Sequence, residues 1–135
     1  MLLLHCAAGS ERRLATLIRG LYGDPDQVTP ETLAGYFRPL RVRGSAAAIW
    51  AMLASPWDGD LPERLGAIAA PALLVWGDRD PITPLAEGRR LERDLPRAHL
   101  VVFPGAGHVP QEERPAAFNR LVSEFLGAPA VGEPV

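Results

Sequence analysis

The sequence predicts an α/β protein in which a helical segment precedes a β-α-β-α unit with two parallel strands. Apolar residues recur at helical spacing through residues 10–54. Two short, largely apolar runs follow, 72–76 and 99–103, and each is followed by a turn signal and then a helical pattern. A strand, a helix and a second strand in this order are typical of a parallel pair. The length of 135 residues, with 47% hydrophobic and 22% charged residues, fits one globular domain.

Three helices are predicted in the first part of the chain. The first follows Ser10 as N-cap and ends before Pro25, with its apolar residues at Leu14, Leu17, Ile18 and Leu21. The second has Thr29 as N-cap, a proline at its first position and Pro39 as its limit, with an apolar face of Leu33, Tyr36 and Phe37. The third spans 46–54. Its larger apolar residues could line a pocket, but helical spacing more often places such residues in a core.

Two strands and two further helices are predicted in the second part. The run 72–76 is apolar throughout, which is typical of a strand covered by helices on both faces. Helical spacing over 85–95 leads to the second strand, 99–103. The last helix covers 115–126 and is closed by Gly127, a residue suited to the left-handed position after a helix. The remaining residues show no periodicity and are expected to be disordered.

Each predicted strand is followed by a loop that carries a side chain suited to proton transfer. Asp80 follows the first strand and His108 the second, so both belong to the end of the sheet where α/β proteins place their chemistry. Histidine titrates near neutral pH, and a carboxylate on its far nitrogen fixes the tautomer and stabilises the imidazolium. Two structural alternatives stay open: His108 bonded to backbone, and Asp80 as a turn residue capping the next helix. Asp78 competes for the role of the acid.

The two loops read Gly-Asp-Arg-Asp-Pro over 77–81 and Gly-Ala-Gly-His over 105–108. With the lead-in 65–71 and the closing phrase 113–118, they resemble the C-terminal segment of the α/β-hydrolase superfamily, which includes esterases, epoxide hydrolases and carbon–carbon bond hydrolases. The resemblance implies a partial α/β-hydrolase fold with His108 as catalytic base and Asp80 as its acid. It favours Asp80 over Asp78 for that role. The helical first part is similar to the cap that many members insert over the active site.

Domain boundaries follow from this resemblance. A cap-like segment is expected over 1–56, the β-α-β-α part of the core over 57–127 and the tail over 128–135. The abrupt apolar start of the chain suggests a piece cut from a longer one. An ester, an epoxide or a similar small, largely apolar compound is the implied substrate of the complete enzyme.

The sequence lacks one element of the family pattern. No serine, cysteine or aspartate stands in a Gly-x-Nuc-x-Gly turn, so no residue of these 135 is predicted to supply the nucleophile. We therefore expect a fragment that contributes acid and base and is inactive alone. The alternative is a non-catalytic remnant or split subunit that binds an N-terminal half, or a second copy, through an exposed strand edge.

Charge and cysteine content narrow the range of partners. Basic residues, 14 in all, are interspersed with 16 acidic ones for a net charge of −2, so neither nucleic acid nor a membrane surface is expected as a partner. The single cysteine, Cys6, has no partner for a disulfide and no companion at metal-ligand spacing. His5 and His99 likewise have no ligand-spaced partner. No cofactor and no metal are predicted, and the expected location is the cytoplasm.

Overall fold

The computed structural model describes residues 7–55 and 64–127. Its helices and strands are α1 (Ala7–Leu21), α2 (Pro30–Leu40), α3 (Ser45–Ala54), β1 (Ala72–Gly77), α4 (Leu85–Asp94), β2 (Ala98–Phe103), α5 (Pro110–Glu113) and α6 (Pro115–Phe125). Short 3-10 turns cover Pro25–Gln27 and Leu65–Ala67. The predicted class, helices followed by a β-α-β-α unit, is confirmed. The interpretations of His5, Cys6 and the 128–135 tail fall outside the described residues.

The two strands pair in parallel, as predicted. Ala72 lies opposite Ala98 and the register continues to Gly77 opposite Phe103. Helix α4 connects them and packs on the pair, with the backbone of Gly88 against the ring of Trp76. The expectation that residues 72–76 are covered on both faces is wrong, because these residues are only half-buried. Within the described residues the sheet has two strands, and burial of its faces requires further strands or helices packed on them.

Helix α1 differs from its prediction at its start. It already includes Ala7, so Ser10 lies inside the helix and is not its N-cap. Alanines before Ser10 have the highest helix propensity, and they extend the helix past the expected cap. The packed side chains of α1 include Leu14, Ile18 and Leu21, and Tyr22, the next residue after the helix, packs with them, whereas Leu17 is 67% exposed.

Helix α2 begins as predicted. The Thr29 hydroxyl accepts the Thr32 N–H at 3.2 Å, and Pro30 is the first residue of the helix. The apolar face of α2 packs against a cluster formed by Ile18, Tyr22, Val28 and Val109. Val109 directly follows His108 in the chain. The core of the helical part is therefore shared with the loop that carries the predicted base.

Helix α3 and the glycine after α6 both form as predicted, but the described side chains of α3 are more exposed than those of a core helix would be. Trp50 and Met52 are 69% and 62% exposed, so they are not core residues of the part of the chain that the structure describes. Gly127 adopts a positive φ of 69° just after α6, as its prediction as the closing glycine requires. No helix in ranges 7–55 and 64–127 is both long and apolar enough to span a membrane.

Two helical glycines provide a test of this packing. Gly35 of α2 has open space where a Cβ would lie, so Gly35→Ala should raise the free energy of unfolding by about 0.5–1 kcal/mol through helix propensity. A Cβ on Gly88 would lie 2.9 Å from the Trp76 ring, which is held by a 2.8 Å hydrogen bond from its Nε1 to the Thr83 carbonyl. Gly88→Ala should therefore lower the free energy of unfolding, by about 1–3 kcal/mol. Urea denaturation of both variants checks this, and changes of the same sign would contradict the packing of α4.

Candidate active site

The Asp80 and His108 side chains meet at the carboxyl ends of the two strands. His108 Nδ1 lies 2.9 Å from Asp80 Oδ2 and 3.1 Å from Oδ1. The Asp80 side chain is 5% exposed, whereas the imidazole is 36% exposed. The structure thus brings together the two residues that the strand-end argument and the resemblance selected. Because Nδ1 faces the carboxylate, Nε2 is the nitrogen left to exchange a proton with a reacting group.

Asp80 also forms a turn, as its structural alternative expected, but it does not cap the next helix, because α4 begins after Pro84 with no side-chain cap. Its Oδ1 accepts the backbone N–H groups of Ile82 and Thr83 at 2.8 and 2.9 Å, and its Oδ2 accepts the Thr83 hydroxyl at 2.6 Å. Burial raises the pKa of the Asp80 carboxyl. The hydrogen bonds from Thr83, His108 and Ile82 outweigh burial and hold that pKa below its ordinary value. The carboxylate is therefore charged and fixed in direction before any substrate binds.

Asp78 has a different role from Asp80. Its Oδ1 accepts the Gly105 N–H at 2.7 Å, and the next backbone N–H, that of Arg79, donates to the Ala106 carbonyl at 3.0 Å. Asp78 therefore joins the loop after β1 to the loop after β2. The sequence does not reveal this connection, because the partner is a backbone group 27 positions away.

Three glycines allow backbones to approach each other more closely than a Cβ would permit. A Cβ on Gly77 would lie 2.1 Å from the Gly107 carbonyl oxygen, and one on Gly107 would lie 2.2 Å from the Leu21 carbonyl oxygen. A Cβ on Gly23 would lie 2.0 Å from the Gly105 carbonyl oxygen. The sequence predicts a sharp turn at both Gly105 and Gly107, which would let the imidazole project over the strand ends. Only Gly105 has a positive φ, 75°, and Gly107 is needed for contact instead.

A buried carboxylate lies behind the histidine loop. Glu113 is 5% exposed, and its two oxygens accept the backbone N–H groups of Gly107 at 2.6 Å and Gly23 at 2.8 Å. The N–H of His108 itself donates to the Leu21 carbonyl at 2.6 Å. Glu113 contributes to the sequence prediction only as part of the closing phrase 113–118, because nothing in the local pattern indicates that this acid of α5 turns inward.

The neighbouring Glu112 points the other way and binds two tyrosines. Its carboxylate accepts the hydroxyls of Tyr22 at 2.5 Å and Tyr36 at 2.8 Å. Burial, with the adjacent Glu112 carboxylate, raises the pKa of both phenols above their ordinary value. The tyrosines therefore remain protonated donors near neutral pH, and they connect α1 and α2 to α5.

Among the described residues, no hydroxyl or thiol forms a hydrogen bond with the imidazole of His108, and no three acidic, histidine or cysteine side chains gather as metal ligands. His99 is exposed on β2 and takes no part in the site. The candidate site therefore consists of the hydrogen-bonded pair Asp80 and His108, held by three backbone segments.

Comparison with known proteins identifies the architecture that carries this pair. The profile of the Alpha/beta hydrolase family matches residues 2–121. The chain belongs to this family. The 2-hydroxy-6-oxo-6-phenylhexa-2,4-dienoate hydrolase of Burkholderia cepacia is 36% identical to this α/β-hydrolase chain in an alignment of 108 residues. The alignment covers 76% of the chain and 37% of that protein.

Solved structures agree with the assignment. A meta-cleavage product hydrolase from Pseudomonas fluorescens superimposes on the chain with a TM-score of 0.76 at 27% identity. The superposition covers 87% of the α/β-hydrolase chain and 46% of the Pseudomonas protein. A serine hydrolase from the polyaromatic-hydrocarbon-degrading bacterium Cycloclasticus zankles superimposes with a TM-score of 0.74 at 25% identity. This superposition covers 87% of the chain and 45% of the Cycloclasticus protein. The chain therefore spans less than half the length of these relatives.

The hydrogen bonds to Asp80 predict a pH dependence of stability. A carboxyl whose pKa is lowered on folding stabilises the protein at pH values above its pKa in the unfolded chain, about 3.9. That stabilisation is lost as the pH falls through the lower pKa of the folded state. Wild type should therefore be more stable than Asp80→Asn at pH 7, and the difference should shrink as the pH falls from about 5 toward 2. Urea unfolding of both proteins across this range measures the difference, and a constant difference would contradict a lowered pKa.

Proposed function

We propose that this chain supplies the base, His108, and the acid, Asp80, of a hydrolase whose nucleophile lies in a part of the fold that these 135 residues do not contain. The observation that carries the proposal is the 2.9 Å contact between His108 Nδ1 and Asp80 Oδ2, which leaves Nε2 for the reaction. No Gly-x-Nuc-x-Gly turn is present in the sequence. We infer that the nucleophile is a serine, because a relative with the same fold is described as a serine hydrolase.

In the proposed reaction His108 moves one proton at each step. Nε2 takes the proton of the serine hydroxyl while Oγ bonds to a carbonyl carbon, and Asp80 stabilises the imidazolium that forms. His108 then returns the proton to the leaving group as the bond to that group breaks. A water molecule then gives one proton to His108 while its oxygen bonds to the acyl carbon, and His108 passes that proton to the serine Oγ as the Oγ–C bond breaks, which releases the acid and restores the serine. One water is consumed in each cycle.

For the substrate we propose a 2-hydroxy-6-oxo-dienoate, the class named for the Burkholderia cepacia relative. Hydrolysis of such a compound breaks a carbon–carbon bond next to the keto group, so the leaving atom is carbon and requires the proton that His108 carries. An ester remains the second candidate, because serine, histidine and aspartate transfer an acyl group from an ester by the same steps. An epoxide fits less well, since epoxide opening in this fold calls for an aspartate nucleophile.

The edges of the sheet indicate where the missing part would bind. On β2, the outward N–H groups of Ala98 and Leu100 are already bonded, to the Leu95 carbonyl and the Glu92 carboxylate. On β1, Ala72 and Asp78 donate toward β2, so by alternation Leu73 and Val75 direct their N–H groups away from it. We propose that β1 receives a strand from the nucleophile-bearing part, because β2 offers fewer free donors.

Reconstitution tests the catalytic proposal. The part of the Burkholderia cepacia hydrolase that precedes its 108 aligned residues is co-expressed with this chain, and loss of the conjugated dienoate absorbance is followed. We expect turnover that falls about 10⁴-fold in Asp80→Asn and by about 10⁴ to 10⁶ in His108→Ala. Asp94→Asn, an exposed position at the end of α4, is the control and should retain activity. Turnover that survives His108→Ala would contradict the proposal.

Substitutions on β1 test the binding edge separately. Val75→Pro removes one outward N–H and leaves the bonds to β2 in place, so it should fold and bind the partner at least about tenfold more weakly. Val75→Ala removes a similar part of the side chain but keeps the N–H, and it should bind nearly as wild type. Isothermal titration or a pull-down measures the association. Equal binding by wild type and Val75→Pro would exclude this edge.

A non-catalytic interaction module is the alternative, and the open β1 edge favours it together with the absence of a nucleophile turn. The two functions give different results in the same experiment. Binding with turnover that depends on His108 and Asp80 supports the hydrolase. Binding through β1 with no turnover of dienoate or ester supports the module, and a stable monomer that does not bind would contradict both.

A further inference from the structure

Glu113 is a buried acid for which the proposed reaction has no use. Only 5% of it is exposed, and a buried carboxylate is costly unless its oxygens are hydrogen-bonded. Both oxygens are bonded to backbone, one to Gly107 N–H at 2.6 Å and the other to Gly23 N–H at 2.8 Å. These donors lie in segments that are far apart in the chain. Gly107 precedes His108, and Gly23 follows α1.

We propose that Glu113 is a positioning residue that fastens the turn after α1 to the histidine loop and so holds the imidazole toward Asp80. Two further contacts run between the same segments. The His108 N–H donates to the Leu21 carbonyl at 2.6 Å, and Gly107 packs so closely on Leu21 that a Cβ would not fit. With the backbone held on both sides of residue 107, the side chain of His108 leaves the loop in one direction.

The adjacent acid provides a matched control. Glu112 belongs to the same short helix, α5, but is exposed and binds tyrosine hydroxyls instead of backbone N–H groups. Replacing Glu112 by glutamine removes one carboxylate from α5 but involves no backbone N–H of either loop, and the glutamine amide can still bond both tyrosine hydroxyls, because a hydroxyl accepts as well as donates. Replacing Glu113 by glutamine leaves one acceptor oxygen and turns an NH₂ group toward the other backbone N–H. The backbone N–H that faces the NH₂ group then has no acceptor on residue 113.

The first test needs no enzymatic activity and uses the full chain. In wild type we expect slow hydrogen exchange of the Gly23 and Gly107 amides, and imidazole ¹⁵N shifts showing the proton on Nδ1 of His108. In Glu113→Gln at least one of the two amides should exchange about ten- to a hundred-fold faster, and the Nδ1–H tautomer should lose at least half of its population. Glu112→Gln should match wild type in both measurements.

Several results would overturn the inference. Faster amide exchange with unchanged His108 shifts in Glu113→Gln would make Glu113 a structural clamp only. If Glu113→Gln does not fold, Glu113→Asp, one methylene shorter, is measured in the same way. If neither variant folds, hydrogen exchange of the Gly23 and Gly107 amides in wild type decides. Rapid exchange of both amides in the folded chain excludes the bridge through Glu113, and protection of both supports it.

A kinetic test rests on the proposed function. In the reconstituted enzyme, Glu113→Gln should lower kcat about tenfold or more with little change in KM, because a misdirected base slows the chemical step rather than substrate binding. Glu112→Gln should leave both constants unchanged. Unchanged kcat in Glu113→Gln would contradict the inference, whereas inactive wild type with the predicted tautomer shift would contradict the proposed function alone.

Discussion

The close approach of three backbone segments is the constraint on which the rest of the site depends. The turn after α1, the loop after β1 and the histidine loop meet where Gly23, Gly77 and Gly107 leave no room for side chains. Backbone groups packed this closely must find partners among themselves or on nearby side chains. Asp78 and Glu113 provide such partners, since each accepts a backbone N–H of the histidine loop.

This contact also joins the two parts of the chain. The helical part reaches the strand ends through the Leu21 carbonyl and through the cluster in which Val109 packs with Ile18 and Tyr22. The tyrosine bonds to Glu112 add a second connection at the surface. The backbone of His108 is thus held by the end of α1 as well as by the loop after β2.

The sheet, by contrast, is the least complete part of the structure. Two parallel strands rarely suffice to bury a sheet, and residues 72–76 remain half-buried despite their apolar character. The apolar run was correctly interpreted as a strand, but its burial depends on neighbours that the sequence of the strand does not contain. A chain that spans less than half the length of its structural relatives is consistent with this exposure.

Local patterns by themselves determined the order of the elements, the parallel pair, the Thr29 cap and the glycine that closes α6, because spacing and turn chemistry act over a few residues. Strand ends and the family resemblance also selected Asp80 and His108. Tertiary structure alone decided that Asp78 binds the histidine loop, that Gly107 serves contact rather than a turn, and that Glu113 faces inward while Glu112 faces outward. These features depend on residues distant in the chain. Adjacent acids with the same local sequence signal take opposite directions only when the fold supplies different partners.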